Sequence, residues 1–379
     1  MVNFIFWLCL TIIGYTYIGY PLLLWLLARV SPLEVAAAPI MPDVTVVIAA
    51  MNEEKNIGDR LDNILSQEYS PERFEIIVVS DGSTDRTDEI VQSYKERNVT
   101  LLKLESRQGK AIALNEGINS ASGEIIVFTD ARQCFAPGAI LQLAANFADS
   151  SVGCVSGELM FFDNNSGIQA EMGGYWRFEK WIRSNESRSG SVVGATGSIY
   201  AIRKALYQPL PSGTILDDVL TPLNVVMQGY RCIFDGGAIV YDIISETVNQ
   251  EWRRKVRTLA GNWQLLSLRP ALLLPSLNPI LWRLISHKLL RLVVPFALVI
   301  LFCSGATLPH PFYRSATIAQ LFIYLFALTG YLLPLSRNLR LINISYFFAV
   351  MNIAALCGFW HWLTGNCGSI WQPAYQGKR

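Results

Sequence analysis

The chain is short of the residues on which many enzymes depend. It has three histidines, His287, His310 and His361, and none between Val30 and Ser286. That gap removes a Ser-His-Asp or Cys-His nucleophile, a histidine metal site and a histidine general base from the polar part of the chain. Acid–base chemistry there falls to carboxylates. The seven cysteines (Cys9, Cys134, Cys154, Cys232, Cys303, Cys357 and Cys367) show no CxxC spacing. A zinc site or a disulfide framework does not follow from them, and buried free thiols in a reducing compartment do. Charge is scarce as well: 16% of residues are Asp, Glu, Lys or Arg, against about 25% in soluble proteins, and mean hydropathy is +0.31. This deficit points to membrane. The net charge of +1 gives no reason to expect nucleic acid as a partner.

The apolar residues fall into blocks. Phe4 to Ala28 carries no charge and at about 25 residues is long enough to cross a bilayer. No basic segment precedes it, and Trp25 and Arg29 stand where a signal peptide has its small cleavage residues, so residues 1–29 read as an anchoring helix. Residues 30–43, with Pro32, Pro39, Pro42 and an Ala triplet, form a linker that cannot continue it. Residues 44–250 are the polar domain. Residues 251–291 open with the basic, aromatic run Glu251-Trp252-Arg253-Arg254-Lys255-Val256-Arg257 and continue with Leu, Pro and cations, a mixture suited to helices lying at a membrane surface. Residues 292–379 hold three further apolar runs, about Leu292 to Leu308, Thr317 to Leu335 and Leu341 to Leu363. Arg29, Arg283, Lys288 and Arg291 flank the polar domain, and Arg337 and Arg340 separate the last two runs. The positive-inside rule then places the polar domain in the cytoplasm, in an integral protein of the plasma (inner) membrane. Arg314 and the Lys378-Arg379 tail count mildly against that orientation.

Within the polar domain, strand-like runs alternate with helical ones. Thr45 to Ala50, Ile76 to Ser80, Thr100 to Leu104 and Ile125 to Thr129 read as strands. Asn56 to Gln67, Arg86 to Arg97 and Lys110 to Ser120 read as helices between them. This order predicts βαβ units and an α/β fold with a mostly parallel sheet. Ligands bind at the carboxyl ends of such strands. There the sequence puts Glu53, Asp81 (in Asp81-Gly82-Ser83-Thr84-Asp85) and Asp130, three acids on one edge, as a nucleotide-sugar site requires.

The segments Val44 to Glu54, Asp81 to Asp85, Gly109-Lys110 and Phe128-Thr129-Asp130-Ala131-Arg132, taken in order, resemble the family 2 glycosyltransferases with the GT-A fold. The likeness is to the membrane-integrated branch that holds cellulose, hyaluronan and poly-N-acetylglucosamine synthases. It implies that Ala49 and Glu53 line the base and ribose pocket, that Asp81 binds the uracil or ribose, with Ser83 or Thr84 capping the next helix, and that Lys110 offsets diphosphate charge. Asp130 matches the first acid of the family's Asp-x-Asp motif, which holds Mg2+ or Mn2+. The place of the second acid is taken by Arg132, which cannot ligate a cation; either Asp130 suffices with the diphosphate, or Arg132 itself meets phosphate.

Leu216-Asp217-Asp218-Val219 matches the family's acidic pair, with Asp218 as base and Asp217 in support; as plain sequence, the same pair could open the helix Val219 to Gln228. Gly194, Thr196 and Gly197 resemble the acceptor-side loop, although a tight turn needs glycines equally. Arg257 matches the arginine of Gln-x-x-Arg-Trp, which in the family contacts the diphosphate, but Arg254 and Thr258 replace the glutamine and tryptophan, with Trp252 and Trp263 nearby. That basic run also suits anionic lipid. Tyr175, Trp176 and Trp181, in a helical stretch after Gly173-Gly174, suit either sugar stacking or packing.

The resemblance implies an inverting transferase that takes sugar from a UDP-sugar to a glycan or lipid-linked acceptor beside membrane lipids. Four spans are few for a polysaccharide channel, which calls for a membrane partner or a homo-oligomer. The alternatives are a polyprenyl-phosphate glycosyltransferase, which needs no base at Asp218, and a silent scaffold that binds nucleotide sugars, for which Arg132 speaks. A transporter fits poorly, because the apolar runs from Leu292 onward carry almost no charge.

Overall fold

The computed structural model describes residues 1–162, 174–243 and 248–365; Gly173, Cys367 and the Lys378-Arg379 tail lie outside them. The chain divides into two units, one comprising most of residues 24–243 with 265–281, the other residues 1–23, 248–264 and 282–365.

The first unit is built on a sheet of eight strands: β1 (Val44–Ala50), β2 (Phe74–Asp81), β3 (Val99–Leu104), β4 (Ile125–Thr129), β5 (Cys134–Phe135), β6 (Val152–Phe162), β7 (Tyr200–Arg203) and β8 (Arg231–Ile243). Their order is β3-β2-β1-β4-β7-β6-β8-β5. The β-branched run of β1 is buried at every residue, as a strand covered on both faces must be. β1 pairs in parallel with β2 and β4, and β2 with β3, so Ala50, Asp81 and Thr129 end on the same edge. β7 runs antiparallel to β4 and β6, whereas β6 and β8 are parallel. Phe128 and Tyr200 face each other in register with rings stacked at 4.3 Å, which brings the segment before β7 to that edge too.

The helices Ile57–Leu65, Thr87–Gln92 and Lys110–Ser120 join the first four strands. The last of these lies so close to the sheet that a Cβ on Gly117 would sit 2.6 Å from Val47 Cγ1. The helix Asp217–Met227 begins two residues earlier than the apolar pattern suggests, with both aspartates in its first turn.

The long apolar runs form helices, most of whose residues lie in the other unit. Val2–Val30, Leu281–Thr307, Pro311–Leu332 and Arg340–Leu363 are each long and apolar enough to cross a membrane, by length and composition. Phe6 and Cys9 pack with Ala297 and Leu301, Trp7 stacks on Phe312 at 5.4 Å, and the Tyr15 hydroxyl meets Ser286 Oγ at 2.8 Å. Helix continues through both limits that charge had suggested. Val248–Leu268 runs past residue 250, and Leu281–Thr307 runs past residue 291, so Arg283, His287, Lys288 and Arg291 stand in its first turns. Backbone hydrogen bonding propagates through a change of side-chain polarity unless a breaker stops it.

Candidate active site

The site grows from the loops at the carboxyl edge of the sheet. After β1 the chain turns at Asn52, which has a left-handed φ of 55°. Its Oδ1 accepts the Thr84 N–H at 2.8 Å and its own N–H donates to Ser83 Oγ at 3.2 Å. The Glu53 N–H donates to Thr87 Oγ1 at 2.8 Å, so the loops after β1 and β2 are laced together. Glu53 itself accepts from Asn56 Nδ2 at 2.7 Å. Burial raises its pKa above the usual carboxylate range, opposed by the Asn56 hydrogen bond and helped by the charge of Asp130. The next helix is opened by Asp85, whose Oδ1 accepts from the Thr87 N–H at 3.0 Å, and not by Ser83 or Thr84.

Asp81 is tied to the backbone of the following turn. It is 0% exposed, and its carboxylate accepts the backbone N–H of Gln108 at 2.6 Å and of Gly109 at 2.9 Å. It thereby fixes the turn at Gly109, where φ is 94°, a conformation that suits glycine. Lys110 follows as the first residue of its helix. Ala49 is buried inside β1 at 2% exposure.

Lys110 is the hub. Its Nζ lies 2.9 Å from Asp130 Oδ1 and 3.5 Å from Asp217 Oδ2, joining the end of β4 to the start of the helix Asp217–Met227. Burial works to lower its pKa, but Asp130, Asp217 and Asp218 outweigh burial and raise it above the usual lysine range. Asp217, at 5% exposure, and Asp218 sit where the helix N-terminus favours negative charge. The Ala195 N–H donates to the Asp218 carbonyl at 2.7 Å. A Cβ on Gly197 would stand 3.0 Å from Asp218 Oδ2, and one on Gly194 would stand 3.1 Å from Val219 Cγ2. Gly197 thus lets its loop come up against the Asp218 carboxylate, and Gly194 lets it come up against Val219, closer than a side chain at either position would permit.

Arg132 is held by an acid that no motif announced. Its Nη2 meets Asp242 Oδ2, near the end of β8, at 2.6 Å, and Gln133 Nε2 donates to the same oxygen at 3.2 Å. Arg60 was also missed. It is 2% exposed, donates to Asn63 Oδ1 at 2.6 Å and to Thr129 Oγ1 at 2.5 Å, and stacks its guanidinium 4.0 Å from the Phe135 ring centroid. Burial lowers its pKa to about 9, against the pull of Cys134 and Asp130, which leaves a cation beneath the strand end. The sequence signal was there: Ile57, Arg60, Leu61 and Ile64 share one helical stripe, and an arginine on a buried face needs a reason.

The structure thus brings Glu53, Lys110, Asp130, Asp217, Asp218, Gly194, Thr196 and Gly197 to one edge of the first unit. Arg257 is exposed on the helix Val248–Leu268, in the other unit. Trp263 packs 5.2 Å from Phe359 and 5.6 Å from Trp362, which engages its ring within that unit. Trp176 rests against Phe161 at 5.4 Å and Trp181 on Phe178 at 6.3 Å, yet each stays 37% exposed.

Residues 45–210 match the family model described as glycosyl transferase family 2. Over 229 residues the chain is 28% identical to poly-beta-1,6-N-acetyl-D-glucosamine synthase of Staphylococcus aureus, an alignment that takes in 59% of this chain and 55% of the relative. The corresponding synthase of Staphylococcus epidermidis is 27% identical over the same length. The chain therefore spans about half the length of these curated relatives. Among solved structures, a mannosyltransferase of Pyrobaculum calidifontis, determined with GDP-Man and Mn2+, superposes with a TM-score of 0.71 at 24% identity, covering 96% of this chain and 99% of that one. Residues 45–210 are a glycosyl transferase family 2 domain, and the α/β unit that contains it has the GT-A fold.

Proposed function

We propose that this chain is an inverting glycosyltransferase of the plasma (inner) membrane, with its α/β unit in the cytoplasm. It moves a sugar from a UDP-sugar to a hydroxyl of a glycan or lipid-linked acceptor, in polysaccharide or glycoconjugate synthesis. The observation that carries this reading is the Asp218 carboxylate in the first turn of a helix, with Gly197 against it and with Lys110 joining its neighbour Asp217 to Asp130. With no histidine between Val30 and Ser286, a carboxylate is the base at hand. As the acceptor oxygen bonds to the anomeric carbon, Asp218 takes its proton, and the electron pair of the breaking C–O bond leaves with UDP. Lys110 sets the distance between Asp130 and Asp217. Arg257 is assigned to the leaving diphosphate through its match to the family motif.

The donor set fits a divalent cation only in company with the nucleotide. Among the described residues no group of three His, Cys, Asp or Glu could hold one, and Arg132 is engaged with Asp242. Mg2+ needs as few as one carboxylate when substrate phosphates complete its shell, and Asp130 supplies that carboxylate. Bound there, Mg2+ or Mn2+ offsets charge developing on the diphosphate. The curated relatives make UDP-N-acetylglucosamine the first donor to try, and the solved neighbour makes GDP-Man the second. Membrane lipids flank the four apolar helices, and a membrane partner or a second copy completes any export path.

Asp218→Asn tests the reading. Transfer should fall by about 10²–10⁴-fold while UDP-sugar binding is kept. A variant as active as the parent, yielding a polyprenol-linked sugar phosphate, would instead select the polyprenyl-phosphate alternative, whose acceptor needs no base.

A further inference from the structure

The helix Gly174–Arg188 carries an arginine that no motif singles out. Arg183 Nη1 donates to Thr196 Oγ1 at 2.8 Å and Nη2 donates to Ser156 Oγ at 2.6 Å. Ser156 Oγ in turn accepts the Thr196 N–H at 2.9 Å, and Thr196 Oγ1 donates to the Gly157 carbonyl at 2.8 Å. The guanidinium lies 4.8 Å from the centroid of the Phe234 ring. One fork therefore ties β6 to the middle of the loop before β7. On one side of Thr196 is Ala195, whose N–H donates to the Asp218 carbonyl; on the other is Gly197, which lies so close to Asp218 that a Cβ there would stand 3.0 Å from its Oδ2. The far end of the loop is tied separately, because Thr129 Oγ1, held by Arg60, donates to the Ser198 carbonyl at 2.8 Å.

We propose that Arg183 is a positioning residue for the acceptor: by clamping Thr196 and Ser156 it sets the gap between the Gly194–Gly197 loop and the Asp218 carboxylate, where the acceptor hydroxyl enters. This rests on the reading of Asp218 as the base. Among the described residues, the contacts of Arg183 fall on Ser156, Thr196 and Phe234, on the side of the Gly194–Gly197 loop. Burial lowers its pKa, and Cys232, Glu186, Glu179 and Asp218 pull against that, which agrees with a cation held close to the Asp218 side of the site. A bidentate fork with two nitrogens on two hydroxyls is not replaced by the single ammonium of lysine.

The test uses full-length protein in detergent with added membrane lipids, a UDP-sugar donor and a glycan acceptor. Arg183→Met should cut kcat/KM for the acceptor about 10²-fold, as a small misplacement of reacting groups does, with UDP affinity held within about twofold. Arg183→Lys should recover at most about a tenth of the loss. Thr196→Val should act in the same direction, and the double variant Arg183→Met/Thr196→Val should fall short of the sum of the two in free energy, because both break one joint. Parental acceptor kinetics in a folded Arg183→Met variant would overturn the proposal. So would a joint loss of melting temperature and UDP affinity, which marks a structural arginine. Asp218→Asn, run alongside, separates the two readings: parental turnover there removes the base, whereas loss there with an unaffected Arg183→Met removes only the positioning role.

Discussion

Lys110 joins two acidic segments that lie 87 residues apart in sequence, Asp130 on one side and Asp217 on the other. Removing the lysine leaves Asp217 buried and uncompensated, while solvent at Asp130, whose side chain is 34% exposed, softens the loss. Lys110→Met should therefore destabilise the fold by about 1–2 kcal/mol, between the exposed and the buried case, read as a lowered melting temperature, and should weaken UDP binding by tenfold or more, about 1.4 kcal/mol. Unchanged melting and UDP affinity would show that the ammonium carries neither load. The residues around it were legible in different degrees. Asp130, Asp217, Asp218 and Lys110 stand beside strand ends and helix starts, where short motifs place them. Asp242 pairs with Arg132 across 110 residues and Arg60 reaches Thr129 across 69; contacts of that range are made by the fold and leave no local pattern. Asp81 is a motif residue whose carboxylate also holds the backbone of the Gln108–Gly109 turn, a structural duty that the motif alone does not show.

At the level of elements, the helix that presents Lys110 is placed by how near it comes to β1 and β2. Gly117 has Val47 Cγ1 2.6 Å and Val79 Cγ2 3.0 Å from where a Cβ would stand, and both valines belong to the fully packed interior of the sheet. Gly117→Ala should cost about 1–3 kcal/mol, as overpacking does, despite the better helix propensity of alanine. Thermal melting is the readout, and a stabilised variant would mean that the helix can lift without penalty. The four parallel strands and the helices between them were readable because each is a β-branched run or an amphipathic stretch closed by a turn. Strands β5 to β8 were not: β5 has two residues, β7 has four, and β8 contains Gly236 and Gly237. Such strands are defined by their neighbours more than by their own pattern. The limits drawn at residues 250 and 291 followed charge, whereas the helices Val248–Leu268 and Leu281–Thr307 follow hydrogen bonding.

For the whole molecule, an α/β unit with an acidic edge and a set of apolar helices make up one chain, and the four long helices were legible from length and hydropathy alone. Which sugar is moved was not legible, because donor choice depends on the shape of a pocket assembled from several loops. The catalytic claim, glycosyl transfer from a nucleotide sugar, is tested most directly by UDP release. Purified full-length protein in detergent with membrane lipids and glycan acceptors would be screened against a panel of UDP-sugars, with GDP-Man in parallel, under Mg2+, Mn2+ or EDTA. The result foreseen is release from one UDP-sugar, with UDP-N-acetylglucosamine the leading candidate, dependent on Mg2+ or Mn2+ and abolished by EDTA. The contradicting result is measurable UDP binding without release from any donor under any of these conditions, which would leave a chain that holds nucleotide sugars and does not transfer them.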